Sequence, residues 1–331
     1  MKTPAMTSPG KLEDLYAPVR TELEAFRSLL ESEMSSTDAL IHDIQQHILS
    51  MRGKYLRPAL TLLSARLGGK SPEASIKLAV AVELIHTATL VHDDIIDESE
   101  YRRNRPSVHS KYGRDLSIVA GDYLYAKSFM LIASIQDPWI SQALSACARV
   151  MCEGEMKQIE KRSDYLMSQD EYLRIIYQKT AILFQASCAG GAYLGGLGLE
   201  GSKRLGDYGE NLGMAFQIVD DCLDLTQETR DLGKTAGLDV EKNDVTLPVL
   251  YLFEALAPVD RAELLAEVRS GAPDLFAKVR DKARSTGAID RALERAGHYT
   301  RTALGALERL PASTTRDTLS ALARFCYDRA Y

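Results

Sequence analysis

The chain is poor in the features that mark several large classes of protein. Its five cysteines (Cys147, Cys152, Cys188, Cys222 and Cys326) are odd in number and never spaced Cys-x-x-Cys, which argues against a disulfide framework or a thiolate metal site and for reduced core residues in a cytoplasmic protein. It has no basic excess: a net charge of −6 and a pI near 5.6 argue against a nucleic-acid partner. No uninterrupted apolar run approaches the roughly 20 residues of a membrane span, so no transmembrane segment is expected. Residues 1–10 lack the apolar stretch of a secretory signal and read as a flexible tail. No stretch alternates convincingly as a strand, and neither a domain linker nor a short repeat is visible.

What is present is helical throughout. Apolar residues recur at threes and fours from about Leu12 onward, so residues 11–331 are expected to form one all-α domain. Helices are expected over Pro138–Lys161, about Gln169–Leu199 and Ser202–Thr226, with a loop at Arg102–Pro106 because Pro106 forbids continuation. Thr229–Asp244 is the one long polar loop.

Two copies of one acidic pattern interrupt this apolar background: Asp93-Asp94-Ile-Ile-Asp97 and Asp220-Asp221-Cys-Leu-Asp224. Carboxylates one turn apart repel on a helix, so each cluster needs a cation. Asp93 and Asp97 share a face, with His86 two turns earlier on the same stripe; Gln217, Asp220, Asp221 and Asp224 fall at i, i+3, i+4 and i+7. An exposed acidic turn is the alternative for either motif alone, and two matched copies in apolar settings argue against it. All-oxygen clusters suit a hard ion such as Mg²⁺, which takes one or two protein carboxylates and completes its shell with water and phosphates.

Basic residues lie close by in sequence: Lys54 and Arg57 at i, i+3, Arg102 and Arg103 directly after the first motif, and Lys179 and Lys234 further on. Arg forks suit phosphate oxygens and Lys supplies a point charge, so metal-binding carboxylates plus scattered cations describe a diphosphate site. Gly190-Gly191 and Gly195-Gly196 lack the Lys-Ser/Thr ending of a phosphate loop and read as close helix contacts. Glu83-Leu-Ile-His86 is a Glu-x-x-His, but a di-iron bundle needs a second, and none exists.

These motifs, with GKYLRP, AGDYLYA, GEMKQ, YQKTA and GKTAG before TLP in the same order, make the chain resemble the (E)-isoprenyl diphosphate synthases, most clearly from about Lys54 to Pro248. The resemblance implies a bundle of long helices around a deep central cavity, a homodimer, and dependence on two or three Mg²⁺ per site. It implies that isopentenyl diphosphate is condensed head-to-tail with an allylic diphosphate (dimethylallyl, geranyl or farnesyl). Carried over by position, Asp93 and Asp97 would hold two Mg²⁺ on the allylic diphosphate, and Asp220 and Asp224 would face them around a third, supported by Asp94 and Asp221. Lys54, Arg57, His86 and Arg103 would bind isopentenyl diphosphate; Arg102, Lys179, Thr180, Gln217 and Lys234 would hold the allylic partner.

Ala88 and Thr89 are small where short-chain members place bulky aromatic residues, and Tyr125 and Phe129 are candidates for a lower floor. With about three helical residues of depth per isoprene unit, a product of about six or more units is expected. The alternatives are a farnesyl or geranylgeranyl diphosphate synthase, or a non-catalytic regulatory subunit; a terpene cyclase is weaker, because such enzymes generally lack the second motif. Two positions depart from the family pattern: Asn104 stands where Gly is usual, and Asp244 where a phosphate-binding Lys is usual, which leads to the expectation that Asp244→Lys tightens allylic binding.

Overall fold

The structure, a computed structural model, describes residues 12–69, 73–226, 244–270 and 274–329. In chain order these form α1 (Leu12–Leu15), a 3-10 turn, α2 (Arg20–Glu33), α3 (Ala39–Ser50), α4 (Leu56–Leu67) and α5 (Glu73–Ile96). A two-stranded hairpin follows, β1 (Tyr101–Arg102) and β2 (Arg105–Pro106), then α6 (Val108–Tyr112), α7 (Arg114–Ser134), α8 (Pro138–Lys161) and α9 (Gln169–Ile176). After a π-helical turn (Tyr177–Ala181) come α10 (Ile182–Leu194) and α11 (Gly198–Thr226). The remainder is α12 (Leu247–Ala255), α13 (Pro258–Ser270), α14 (Leu275–Ser285), α15 (Ala288–Glu308) and α16 (Thr314–Asp328).

Local chemistry sets the boundaries. Asp137 caps α8 by accepting from the Ile140 N–H at 3.0 Å, with Pro138 in the first turn. Ser168 and Glu171 form a reciprocal capping box at the start of α9. The expected helix over Gln169–Leu199 is instead broken by the π turn and ends at Leu194, and α11 begins at Gly198 rather than Ser202. The expected loop at Arg102–Pro106 is a hairpin in which Arg102 pairs with Arg105. Its two turn residues, Arg103 and Asn104, have φ of 51° and 61°. Such a turn demands left-handed backbone, and Asn tolerates that better than most side chains, which accounts for Asn104 in a glycine position.

α5 is the axis of the bundle. Leu78 to Val82, Leu84 and Ile85 are essentially inaccessible, so the middle of the helix is enclosed around its circumference, while its last turns, from His86 on, open one face to a cavity. α10 lies against α4 so closely that a Cβ at Gly191 would sit 2.1 Å from the Thr61 carbonyl oxygen, and one at Gly195 2.2 Å from that of Ala65. These glycines serve helix contact, as their apolar setting suggests. α11 joins two apolar clusters: Leu205, Tyr208 and Leu212 belong to the one that includes α10, while Ile218, Val219 and Cys222 belong to the one that includes residues of α9, α12 and α15.

By length and composition alone α5 and α7 are both apolar enough to cross a membrane. In α5 the apolar surface is largely covered by neighbouring helices; α7 leaves Leu116, Ile118, Val119, Tyr123 and Met130 exposed.

Candidate active site

The last turns of α5 and of α11 open onto one cavity of about 870 Å³. Asp93 enters from α5; Gln217, Asp220, Asp221 and Asp224 enter from α11; Lys54, Arg57, His86, Arg102, Arg103, Lys179 and Thr180 complete the polar walls. Asp97, just beyond α5, lines an adjoining polar chamber of about 170 Å³ together with Asp221, Lys179, Thr180, Gln217 and Asp244. Two acidic stripes distant in sequence are thus brought to the same void.

The second residue of each motif is turned into the protein. Asp94 is 1% exposed and is gripped by Arg102, whose Nε donates to both carboxylate oxygens at 2.9 and 2.8 Å while Nη2 donates to Oδ1 at 2.7 Å. A phosphate reaching Arg102 therefore meets a guanidinium already oriented by a carboxylate. Asp221 accepts from Tyr172 Oη at 2.5 Å and from Gln217 Nε2 at 2.8 Å, and Gln217 Oε1 accepts from Thr180 Oγ1 at 2.8 Å. Thr180, Gln217, Asp221 and Tyr172 form one continuous network linking the π turn to α11 and α9.

Lys179 and Thr180 owe their position to the π turn, a distortion that recurs at functional sites. It rests on Gly154 of α8, where a Cβ would lie 2.7 Å from Gln178 Cβ and 2.8 Å from the Lys179 nitrogen. Lys179 Nζ sits 2.6 Å from Glu155 Oε2 and 3.9 Å from Asp93 Oδ2. Burial works to lower the Lys179 pKa, but Asp93, Glu155 and Asp97 outweigh it and raise it. Burial pushes Asp93 up to about 7, helped by Glu155 and Asp97 and opposed by Lys179. Asp221 is pushed to about 7 by burial, against its hydrogen bonds from Tyr172 and Gln217.

On the other wall, Arg57 Nη1 lies 3.2 Å from His86 Nε2 and its guanidinium stacks 4.4 Å from the Phe184 ring centroid. Burial lowers its pKa to about 10. Arg103 Nη1 donates to the Met51 carbonyl at 2.5 Å, and Arg329 donates to Asp220 at 2.9 Å.

The donor set fits Mg²⁺. The candidate donors are all carboxylate oxygens, burial works against ionisation of Asp93, and Glu155 Oε1 is buried with no hydrogen-bond partner. No group of three metal-ligating side chains is preassembled among the described residues.

The residues expected to set product length divide. Thr89 and Tyr125 line the cavity; Ala88 is wholly buried in the core, and Phe129 packs behind Tyr125 at 6.5 Å between ring centroids. Lys234 lies outside the described residues. Sequence reasoning missed Glu155, although it lies within GEMKQ, and also Arg162, Tyr172 and Arg329. Arg329 stands far from every motif, and only the fold brings it to Asp220.

An all-α bundle with two aspartate motifs and lysine and arginine side chains around one deep cavity fits a prenyl-transferring enzyme. Residues 38–281 match the family model described as polyprenyl synthetase. The chain is 36% identical over 327 residues, 97% of its own length and 100% of the other's, to heptaprenyl diphosphate synthase component 2 of Geobacillus stearothermophilus. It is 31% identical over 319 residues, 96% of its length and 99% of the other's, to octaprenyl diphosphate synthase of Escherichia coli. Among solved structures it resembles a Caulobacter crescentus polyprenyl synthase complexed with calcium and isoprenyl diphosphate, at TM-score 0.93 and 36% identity over 98% of this chain and 100% of that one. The chain belongs to the polyprenyl synthetase family.

Proposed function

We propose that this prenyltransferase elongates an allylic diphosphate with successive isopentenyl diphosphate units to a long-chain all-trans polyprenyl diphosphate. The observation that carries the proposal is the convergence of Asp93, Asp220 and Asp224 on one cavity with cations on both sides. Asp93 and Asp97 on one face, and Asp220 and Asp224 on the other, are suited to hold two or three Mg²⁺. Bound there, Mg²⁺ would supply the Lewis acidity that draws charge onto a departing diphosphate. Lys179 adds a fixed positive charge beside Asp93, and Lys54, Arg57, His86 and Arg103 suit a second diphosphate on the opposite wall. The oxygen dipoles of Thr180 and Gln217 are available to an allylic carbocation, and Leu90, Ile96, Met151 and Phe216 keep the interior apolar. The proton lost on condensation goes to the released diphosphate.

The small Thr89 on the cavity wall supports a long product, and the relatives that make hepta-, octa- and decaprenyl chains agree with it. The exposed apolar residues of α7 support a homodimer built on that helix, and five free cysteines support a cytoplasmic setting. The Geobacillus relative is named a component, which favours a second reading in which the chain acts with an unlike subunit. Incubation of the purified protein with Mg²⁺, labelled isopentenyl diphosphate and allylic primers tests both, with product length read by mass spectrometry. A product of about six units or more is expected (about three helical residues of depth per unit). A product no longer than farnesyl diphosphate refutes the long-chain reading; no product under any primer refutes independent catalysis.

A further inference from the structure

Arg162 bridges two carboxylates that belong to different parts of the chain. Its Nη2 donates to Asp97 Oδ1 at 2.6 Å and its Nε to Asp244 Oδ1 at 3.1 Å. α8 ends at Lys161, and Arg162 takes extended backbone (φ −54°, ψ 137°) at the end of that helix, reaching the chamber through its two carboxylate partners. Asp97 and Asp244 both line that chamber, with Lys179 and Thr180 across it. The neighbouring cation is committed elsewhere: Lys161 Nζ pairs with Glu171 at 2.9 Å and Asp164 at 3.1 Å. Asp244 is only 8% exposed and is followed directly by the buried Val245 and Thr246, so its carboxylate is a fixed anchor.

Two features make this more than an interhelical tie. One end of the guanidinium is anchored by Asp244, which lies outside both acidic motifs, and the other points to the last carboxylate of the first motif. An arginine held through Nε has its Nη edge fixed in one plane, here with Nη2 shared with Asp97, so that a phosphate oxygen reaching the Asp97 side would meet an oriented donor. Asp244 also carries its own counter-ion: burial raises its pKa and Arg162 opposes that rise. It therefore does not present an unopposed negative charge to an incoming diphosphate, as its place in the sequence suggests.

We propose that Arg162 is a substrate-binding residue for the allylic diphosphate, and that Asp244 is the positioning residue that aims it. This rests on the prenyl-transfer reading above. It reverses the sequence-based expectation for Asp244→Lys: a second cation 3.1 Å from the arginine would displace the fork it needs, so allylic binding weakens.

The test uses full-length protein with Mg²⁺, measuring steady-state kinetics for both substrates and calorimetric binding of farnesyl thiodiphosphate, an unreactive allylic analogue. Arg162→Gln is expected to raise the allylic KM and the analogue Kd about tenfold or more, the scale of one lost charge-assisted phosphate contact, with the KM for isopentenyl diphosphate unchanged. Arg162→Lys should restore part of the loss. Asp244→Asn should move the same two constants in the same direction, and should add little in the Arg162→Gln background because it acts through that arginine. If Arg162→Gln lowers the melting temperature but leaves the analogue Kd unchanged, or if Asp244→Asn is fully additive with it, the pair is a structural tie and the inference is overturned. Failure of the wild-type protein to bind the analogue refutes the prenyl-transfer reading itself, a separate outcome.

Discussion

Replacing Gly154 with Ala tests how the cation Lys179 is placed. The added methyl would meet Gln178 Cβ at 2.7 Å, the Lys179 nitrogen at 2.8 Å and the Gln178 carbonyl carbon at 2.9 Å. Two of these three atoms are backbone, so no rotamer change relieves the clash and α8 and the π turn must separate. Overpacking of this kind costs about 1–3 kcal/mol. The gain in helix propensity on losing a glycine, about 1 kcal/mol, offsets only part of it. The functional effect exceeds the loss of stability, because the displaced segment carries Lys179, beside Asp93, and Thr180, hydrogen-bonded to Gln217. A misplacement of about 1 Å in a positioning group can cost 10²-fold in rate. The variant is thus expected to fold, to melt a few degrees lower by circular dichroism, and to lose about 10- to 100-fold in kcat/KM for the allylic substrate. Gly206→Ala is the control: its nearest new contact is Ala189 Cβ at 3.4 Å, and it should be neutral or mildly stabilising. Full activity and unaltered melting for Gly154→Ala would show that the π turn is not held by this contact, and would refute the reasoning.

Glu83 is buried beneath the Arg57 wall, and burial pushes its pKa to about 7 against the pull of Arg57 and Arg103. The folded protein therefore favours the neutral acid, and stability drains as pH rises from the ordinary glutamate range through 7. Relative to wild type, Glu83→Gln should gain roughly 2–3 kcal/mol between pH 5 and pH 8 in urea unfolding; a pH-independent difference would contradict the assignment. Thr89→Phe, on the cavity wall, should shorten the product by at least one isoprene unit in mass analysis, and an unchanged distribution would remove Thr89 from the elongation path.

The parts of the site that were legible in the sequence are those fixed by local geometry. Asp93 and the Gln217–Asp224 stripe follow from helix periodicity alone, and α5 and α11 carry them as the spacing requires, whereas Asp97 falls just past the end of α5 and lines the adjoining chamber. The Gly191 and Gly195 contacts were legible too, because an apolar helical context leaves glycine little purpose except close approach. What escaped depends on tertiary placement. The π turn leaves no mark in periodicity, since one extra residue per turn over five residues lies within the noise of an apolar pattern. Arg162 and Arg329 sit among ordinary charged residues and acquire meaning only when the fold sets them on Asp97 and Asp220. Ala88 and Thr89, adjacent in sequence, point to different environments because α5 is enclosed on one face and open to the cavity on the other.

Turnover by Asp93→Ala and by Asp220→Ala, each shown to be folded by circular dichroism, measures most directly whether the two acidic helix ends act together. Outer partners of metal ligands typically cost 10–100-fold when lost, so removal of a ligand should cost about 100-fold or more in kcat/KM in either variant, with Mg²⁺ saturating. Near wild-type product formation by both variants would contradict the account.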